Sequence, residues 1–166
     1  MKHWKIYLAA GAAVILAGAL PFQNQDIGKL QPVETALIWM ERDAICMTTD
    51  TGDSGLGNTW QQTRKNLEDT APGAVFYGTG SFLLIDESAQ GLLPVLAEDD
   101  TFSPTCALCL VQAEEIDLET VGKYLSAHQP AYTLRSLRAA LQADEPVQLP
   151  RLTQAGGRYL LVPEED

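Results

Sequence analysis

The chain begins with an apolar segment whose pattern differs from that of a helix in a globular domain. Fifteen residues without a charge, residues 6–20, follow the basic residues Lys2 and Lys5. A helix packed on a domain would have a polar face, and this segment has none. A basic start before such a segment is typical of a secretory signal peptide or a short signal anchor. We therefore expect residues 1–21 to direct export and the rest of the chain to be extracytoplasmic.

Two fates of this segment stay open, and a third is excluded. Ala17 and Ala19 have small side chains at the spacing that a signal peptidase recognises, so cleavage near Ala19 would release the protein. As a helix, the segment is about 22 Å long, less than the roughly 30 Å of a hydrocarbon core, but a thin bilayer could hold residues 6–21 as an anchor. Residues 16–19 resemble a bacterial lipobox in which Ala19 replaces the cysteine, so this position cannot carry a lipid.

The remaining residues have the composition of one acidic domain. Hydrophobic residues make up 46% of the chain and charged residues 20%, so the chain can bury a core and is not disordered by composition. We expect residues 22–32 to form a polar spacer and residues 33–166 a single domain. Beyond position 20 there are nine basic and 22 acidic residues, a net charge of −13. Because such a surface repels phosphates, we expect no nucleic-acid partner.

Local patterns predict short strands interrupted by helices. The apolar runs predict strands at residues 33–40, 43–50, 74–77, 81–85, 105–112 and 159–162, of which the first two form a hairpin. The runs at 74–77 and 81–85 are either one long bulged strand or two short ones, and they count as one strand in the predicted order. Helical spacing predicts helices after Asn58, over residues 87–97 with a break near Pro94, after Asp117 and after Thr133. The order ββαβαβααβ begins with a hairpin, which favours a single mixed α+β domain over a doubly wound sheet.

Three of these helices have one buried stripe each in the sequence pattern. The expected stripes are Trp60, Thr63 and Leu67; Leu118, Val121 and Leu125; and Leu134, Leu137 and Leu141. Each stripe repeats every three or four residues, which is the spacing of one helix face. We therefore expect each of these helices to bury one face.

Residues 51–57 contain a pattern that is known from serine proteases. The motif Gly52-Asp53-Ser54-Gly55 is similar to the sequence around the nucleophile of chymotrypsin-like proteases. A nucleophilic serine needs a histidine base, which precedes the serine in that fold. The chain has two histidines, His3 in the export segment and His128. The sequence therefore favours a flexible turn at Ser54.

The same loop has several oxygen ligands that calcium would accept. They are Asp50, Asp53, Ser54 and Asn58. In an EF-hand loop that starts at Asp50, however, the third and twelfth positions would be Gly52 and Gln61, which cannot supply the carboxylates needed there. We therefore expect a glycine-rich turn and no metal site.

Cys106 and Cys109 form a C-x-x-C pattern inside an apolar run. In thioredoxin-like enzymes this pattern begins a helix, whereas residues 105–111 have the pattern of a strand. Three positions apart in a strand, the two sulfurs would lie on opposite faces. Buried thiols are favoured. A disulfide from Cys46 to one of the pair, or a metal site with Cys46 and His128, stays open.

His128 follows a predicted helix and precedes Gln129 and Pro130. We expect it to cap the C-terminal end of that helix, where an imidazolium would meet the negative end of the helix dipole. No carboxylate or nucleophile is paired with it in the sequence. We therefore assign no catalytic, cofactor-binding or metal-ligating residue, and we expect no cofactor.

A longer pattern is similar to that of a known family. The hairpin, glycine-rich loop and first helix are followed by an apolar run at residues 75–87, and then by a helix with Gly91 and the pair Leu92-Leu93. Over residues 33–142 this order resembles the N-terminal domain of the spore-germinant-receptor C-subunit family. Thr79 stands where the family has a histidine, and the lipobox cysteine is absent. The resemblance implies a stand-alone accessory domain, without catalysis, on the outer face of the membrane of a spore former.

The sequence favours a non-enzymatic binding domain of the bacterial cell envelope, exported or membrane-tethered. Its partner would be another envelope or membrane protein, or a small ligand. The alternative is an extracytoplasmic hydrolase that acts on glycan through two of the carboxylates of Glu34, Asp50, Asp53 and Asp86. A thiol redox protein that uses Cys106 and Cys109 is the least favoured class.

Overall fold

The computed structural model describes residues 29–112 and 116–162. The chain divides into two compact units, Met1–Leu30 and Gln31–Asp166, and the second is described below. The predicted export segment, residues 1–21, lies outside the described residues, as does most of the predicted spacer. No helix in the described ranges is long and apolar enough to cross a membrane.

Short strands and helices follow one another along the described chain. The strands are β1 (Leu30–Pro32), β2 (Thr35–Glu41), β3 (Ala44–Thr49), β4 (Ser54–Gly57), β5 (Ala74–Phe76), β6 (Phe82–Asp86), β7 (Ala107–Val111), β8 (Arg151–Ala155) and β9 (Arg158–Val162). The helices are α1 (Trp60–Thr70), α2 (Leu93–Glu98), α3 (Leu118–Ala127) and α4 (Leu134–Gln142), and a 3₁₀ helix, Glu87–Leu92, directly precedes α2. Every predicted strand and helix is present, and β1, β4 and β8 are additional.

The main sheet has a parallel centre and antiparallel edges. Its strand order is β4-β3-β2-β6-β7-β8-β9. Strands β2, β6, β7 and β8 are parallel, whereas β3, β4 and β9 run antiparallel to their neighbours. Strands β1 and β5 pair in a separate two-stranded sheet. The predicted α+β class is therefore confirmed.

The predicted hairpin of β2 and β3 is confirmed, with a two-residue turn. Glu41 pairs with Ala44, and Arg42 and Asp43 between them have φ angles of 49° and 71°. Two consecutive positive φ angles make a type I′ turn, whose twist matches that of the flanking strands. The hairpin of β8 and β9 has the same kind of turn, built from Gly156 and Gly157.

The sheet buries apolar residues on both faces. On one face, called the three-helix face, α1, α2 and α4 cover residues such as Ile38, Leu83 and Leu108. On the other, called the α3 face, α3 covers Leu84 and Cys109. Successive side chains of a strand point to opposite faces, so the fully buried strands β6 and β7 are apolar at nearly every position.

The predicted helix stripes are confirmed except at one position. The buried residues of α1 are Trp60, Thr63 and Leu67, and those of α3 are Leu118, Val121 and Leu125. In α4, however, Leu141 is 37% exposed, and Ala140 is buried instead. Ala140 lies three residues after Leu137 and so continues the buried face, which leaves Leu141 at its edge.

Strand β4 lies where the sequence predicts a loop, and it is held by α1. A Cβ at Gly55 would lie 2.2 Å from the Thr63 carbonyl oxygen, and one at Gly57 would lie 2.6 Å from the Thr63 nitrogen. Because both positions are glycine, α1 packs directly on the strand backbone. Asn66 of α1 donates to the Leu56 carbonyl at 2.7 Å, which occupies part of this sheet edge.

The start of α1 lies one residue later than predicted. Its N-cap is Thr59, whose hydroxyl accepts a hydrogen bond from the Gln62 amide, and not Asn58. The Gln62 side chain in turn accepts from the Asn58 amide at 3.2 Å. Thr59 and Gln62 have the spacing of a capping box, but the Gln62 side chain bonds the amide of the residue before the N-cap and not that of the N-cap itself. The predicted caps Asp117 and Thr133 are confirmed.

The carboxyl-terminal edge of the parallel strands is covered by a helix start and an ion pair. Asp86 ends β6 and accepts a hydrogen bond from the Ser88 amide at 2.9 Å, which starts the 3₁₀ helix. Glu87 pairs with Arg151 at the start of β8. In doubly wound sheets this edge holds the ligand, but here the 3₁₀ helix and the ion pair occupy it beside β6.

Candidate ligand-binding site

A cleft of about 440 Å³ opens at the amino-terminal edge of β6 and β7. Its walls come from the turn before β6, the loop before β7, the last turn of α3 with the residues after it, and the start of α4. The lining residues are Gly78, Thr79, Gly80, Ser81, Phe82, Ser103, Thr105, Ala107, Ser126, Gln129, Pro130 and Thr133. Six of them carry a hydroxyl group and none carries a charge, so we call it the hydroxyl cleft. Its volume lies in the range of small-molecule sites, about 300–1,000 Å³.

Several hydroxyl groups of the cleft are oriented by hydrogen bonds to nearby residues of the chain. Ser103 Oγ lies 2.8 Å from Thr105 Oγ1, and Ser126 Oγ donates to the Gly122 carbonyl at 2.8 Å. A hydroxyl has one donor and two acceptor positions. A group that makes one such bond therefore keeps capacity for a ligand.

The turn before β6 is fixed by its glycine and by the aromatic core beneath it. Gly80 donates its amide to the Tyr77 carbonyl at 2.9 Å, and a Cβ at Gly80 would lie 3.2 Å from the Phe102 ring. Tyr77 itself is buried against Phe102, with ring centroids 5.2 Å apart. The amides of Ser81 and Phe82 both donate to the Glu34 carbonyl, which ties the turn to the start of β2. The cleft wall is therefore preformed.

The start of α4 does not offer its amides to the cleft. Leu134 donates to the Cys106 carbonyl at 2.9 Å, Arg135 to the Pro104 carbonyl at 2.9 Å, and Ser136 to the Thr133 hydroxyl at 3.3 Å. Helix N-termini bind anions through unpaired amides. Because these three amides are already paired, this helix end lacks the donors that a phosphate or carboxylate would need.

The four carboxylates that a glycan hydrolase would use lie at two ends of the sheet. Glu34 precedes β2, and Asp50 accepts hydrogen bonds from the Glu34 amide at 3.2 and 3.3 Å. Asp86 ends the parallel strand β6, four residues or about 13 Å further along the sheet than Phe82. Glycosidase carboxylates are about 5–9.5 Å apart, so Asp86 is too distant to pair with the other three.

The carboxylates of Asp50 and Asp53 accept hydrogen bonds that stabilise the turn between β3 and β4. Burial raises the pKa of Asp50, although the amides of Thr35 and Glu34 oppose the rise. Asp53 accepts from the Gln31 side chain at 2.6 Å and from the Thr51 hydroxyl at 2.7 Å. These bonds join the turn to the strand starts beside it, and neither carboxylate lines the hydroxyl cleft.

The structure separates the oxygen atoms of the possible calcium loop. Ser54 begins β4 and Asn58 follows its end, so about 13 Å of extended chain lies between them. Within the described residues, no group of three His, Cys, Asp or Glu side chains is placed to hold a metal ion. Ser54 is a strand residue whose carbonyl accepts from the Thr70 hydroxyl at 3.4 Å, and not part of a flexible turn.

The three cysteines are buried free thiols on separate parts of the sheet. Cys106 packs on the three-helix face and Cys109 on the α3 face, as the strand pattern predicts. Cys46 lies in β3, three strand spacings or about 14 Å from β7. A disulfide needs Cα atoms within about 7 Å, so this arrangement excludes the disulfides that the sequence left open. Burial raises the pKa of Cys106 and of Cys109 to about 12.

His128 caps α3, as predicted. Its ring stacks on Tyr124 with centroids 4.4 Å apart, and its Nδ1 lies 3.0 Å from the Tyr124 carbonyl oxygen. Its amide also donates to the last turn of the helix. The residue is exposed and does not line the hydroxyl cleft, so it has a capping role.

No family model matches the chain. No match was found among the curated proteins or the solved structures either.

Sequence reasoning missed the hydroxyl cleft. Its hydroxyl groups come from segments up to about fifty residues apart, and single serines and threonines are common in loops and caps.

Proposed function

We propose that this protein is a non-enzymatic binding domain of the bacterial cell envelope, exported as a tethered or released protein. The observation that carries the proposal is the hydroxyl cleft, a preformed cavity with convergent uncharged hydrogen-bonding groups. Such a cavity is the usual form of a small-molecule site. The N-terminal segment, residues 1–21, supports the extracytoplasmic location.

The chemistry of the lining supports binding over catalysis. General acid–base catalysis needs a titratable side chain within hydrogen-bond reach of the substrate. The lining residues include no His, Asp, Glu, Lys, Cys or Tyr side chain. Nucleophilic attack by a serine would also need a base beside it. The hydroxyl groups of the cleft are therefore suited to recognise a ligand and not to transform it.

Export is tested with a fusion of the full chain to alkaline phosphatase, an enzyme that needs disulfides formed outside the cytoplasm. We expect an active fusion, and loss of activity when Val14→Arg and Leu16→Arg place charges in the apolar segment. The matched control, Val14→Ile with Leu16→Ile, keeps the segment apolar and should keep the activity. An inactive wild-type fusion of full length would contradict the proposed location.

The resemblance over residues 33–142 adds a narrower proposal, an accessory role in spore germination. It is tested in the source organism by the position of the gene and by a deletion strain. We expect neighbouring germinant-receptor or sporulation genes, and spores of the deletion strain that germinate more slowly than the parent and recover when the gene is restored. A non-sporulating source would exclude this role and leave the binding proposal intact.

A further inference from the structure

The charge of the hydroxyl cleft restricts the ligand it can take. No lysine or arginine lines the cleft, and the chain beyond position 20 has a net charge of −13, so the surroundings repel anions. No carboxylate lines it either, so a cationic ligand would lose water without gaining an ionic partner. A neutral ligand avoids both costs.

The hydrogen-bonding groups of the cleft restrict the ligand further. Serine and threonine hydroxyls both donate and accept, as does the amide of Gln129 at the rim. The amides at the start of α4 are already paired, so recognition at that wall depends on side chains. A ligand with several hydroxyl groups is complementary to such a lining, because each of its hydroxyls can also donate and accept.

The cleft also has an apolar part. Phe82, Ala107 and Pro130 line it beside the hydroxyl groups, and all three are buried. Only the edges of these side chains reach the cleft, and they give a small apolar surface against which the C–H groups of a sugar ring or polyol can pack. We propose that the hydroxyl cleft binds a small neutral polyhydroxylated molecule, a monosaccharide or an alditol. This inference rests on the proposed binding function and names its ligand class.

The inference is tested by NMR titration of the ¹⁵N-labelled full-length protein. The neutral probes are glucose, galactose, mannose, N-acetylglucosamine, mannitol and inositol. The charged probes are glucose 6-phosphate, gluconate and glucosamine, and alanine represents amino acids. We expect at least one neutral probe to shift the amide signals of Thr79, Thr105 and Ser126 saturably, with a dissociation constant of about 1 mM or lower.

Two pairs of variants assign the binding to the cleft. Ser126→Trp places a large ring in the cleft and should weaken binding at least about tenfold, whereas Ala127→Trp, also exposed at the end of α3 but outside the cleft, should leave it unchanged. Thr105→Val removes one hydroxyl and should weaken binding about two- to tenfold. Thr153→Val, on β8, should have no effect. Amide spectra of each variant report whether it folds.

The outcomes separate this inference from the proposed function. Neutral probes that bind wild type and Ala127→Trp but not Ser126→Trp support both. If a charged probe or alanine binds the cleft more tightly than every neutral probe, the ligand class is wrong and the binding function stands. If neutral probes bind wild type and Ser126→Trp equally, the site is wrong. If no probe of any class shifts cleft signals, both proposals fail.

Discussion

The indole Nε1 of Trp60 donates a hydrogen bond to the carboxylate of Asp99 and so joins α1 to the residue that follows α2. The Asp99 side chain is only 7% exposed, and it also accepts from the Thr101 amide at 2.7 Å. Arg64, one turn after Trp60, lies 3.4 Å from the same carboxylate. A single buried carboxylate therefore connects two of the helices on the three-helix face.

Removing this carboxylate should destabilise the domain. We expect Asp99→Ala to lower the free energy of unfolding by about 2–4 kcal/mol, because Trp60 and Arg64 lose a buried partner. Urea denaturation followed by tryptophan fluorescence measures the loss. Asp100→Ala is the control: its side chain is 94% exposed and lies 3.3 Å from Arg138, so the change should stay below about 1 kcal/mol. Equal losses in the two variants would contradict this role of Asp99.

The same carboxylate should make stability depend on pH. Burial by itself would raise the pKa of Asp99, but hydrogen bonds from Thr101 and Trp60 and the charge of Arg64 outweigh it and lower the pKa. Ionised Asp99 thus stabilises the fold above the pKa of an unfolded Asp, about 3.9, and this contribution is lost as the pH falls through the folded-state value. We expect the stability advantage of wild type over Asp99→Asn to shrink as the pH falls from about 5 through the lowered folded-state pKa, measured by urea denaturation.

The contribution of Asp50 to stability should depend on pH in the opposite direction. Burial raises its pKa, so the folded state binds a proton more readily than the unfolded chain. Wild type should therefore gain stability relative to Asp50→Asn as the pH falls through the raised pKa. The same denaturation series measures both variants. Parallel pH profiles for Asp50→Asn and Asp99→Asn would show that the two carboxylates do not differ in this way.

The contact between α1 and β4 should tolerate no added atom at Gly55. A Cβ there would meet the Thr63 carbonyl and, at 2.8 Å, the Leu67 Cβ. We expect Gly55→Ala to cost at least about 2 kcal/mol of unfolding free energy, because backbone atoms must shift. Gly91→Ala is the matched control, since a Cβ at Gly91 meets nothing within 4 Å, and it should be neutral or stabilising by up to about 1 kcal/mol. Thermal denaturation compares the two.

The buried thiols of Cys106, directly before β7, and Cys109, within it, should be unreactive in the folded protein. With pKa values of about 12, Cys106 and Cys109 are almost entirely protonated at pH 8, so alkylation by iodoacetamide should be about a thousandfold slower than for a free cysteine. Peptide mass spectrometry after timed labelling measures this. After unfolding in urea without reductant, all three cysteines should label. A protein in which only one labels would contain the disulfide that the sheet order excludes.

Local sequence patterns were sufficient to predict the strands and helices whose apolar residues repeat at the spacing of a strand or a helix. Strand β7 is buried at every position, and the stripe of α3 repeats at helical spacing, so both could be recognised without a partner. Strand β4 could not, because Ser54, Gly55, Leu56 and Gly57 have little strand propensity. It is a strand because β3 pairs with one side of it and α1 packs on its glycines. Strand β8 was missed for a similar reason, since it has a single buried residue, Leu152.

The sequence by itself determined the type of most helices and strands, the hairpin of β2 and β3, and the acidic charge. It also predicts the export signal. These follow from neighbours along the chain, through apolar periodicity and caps. Only the tertiary structure decided the strand order, which separates Cys46 from β7, and the assembly of the hydroxyl cleft from four segments. Both depend on which distant segments meet, and that is set by the burial of both sheet faces together rather than by any local pattern.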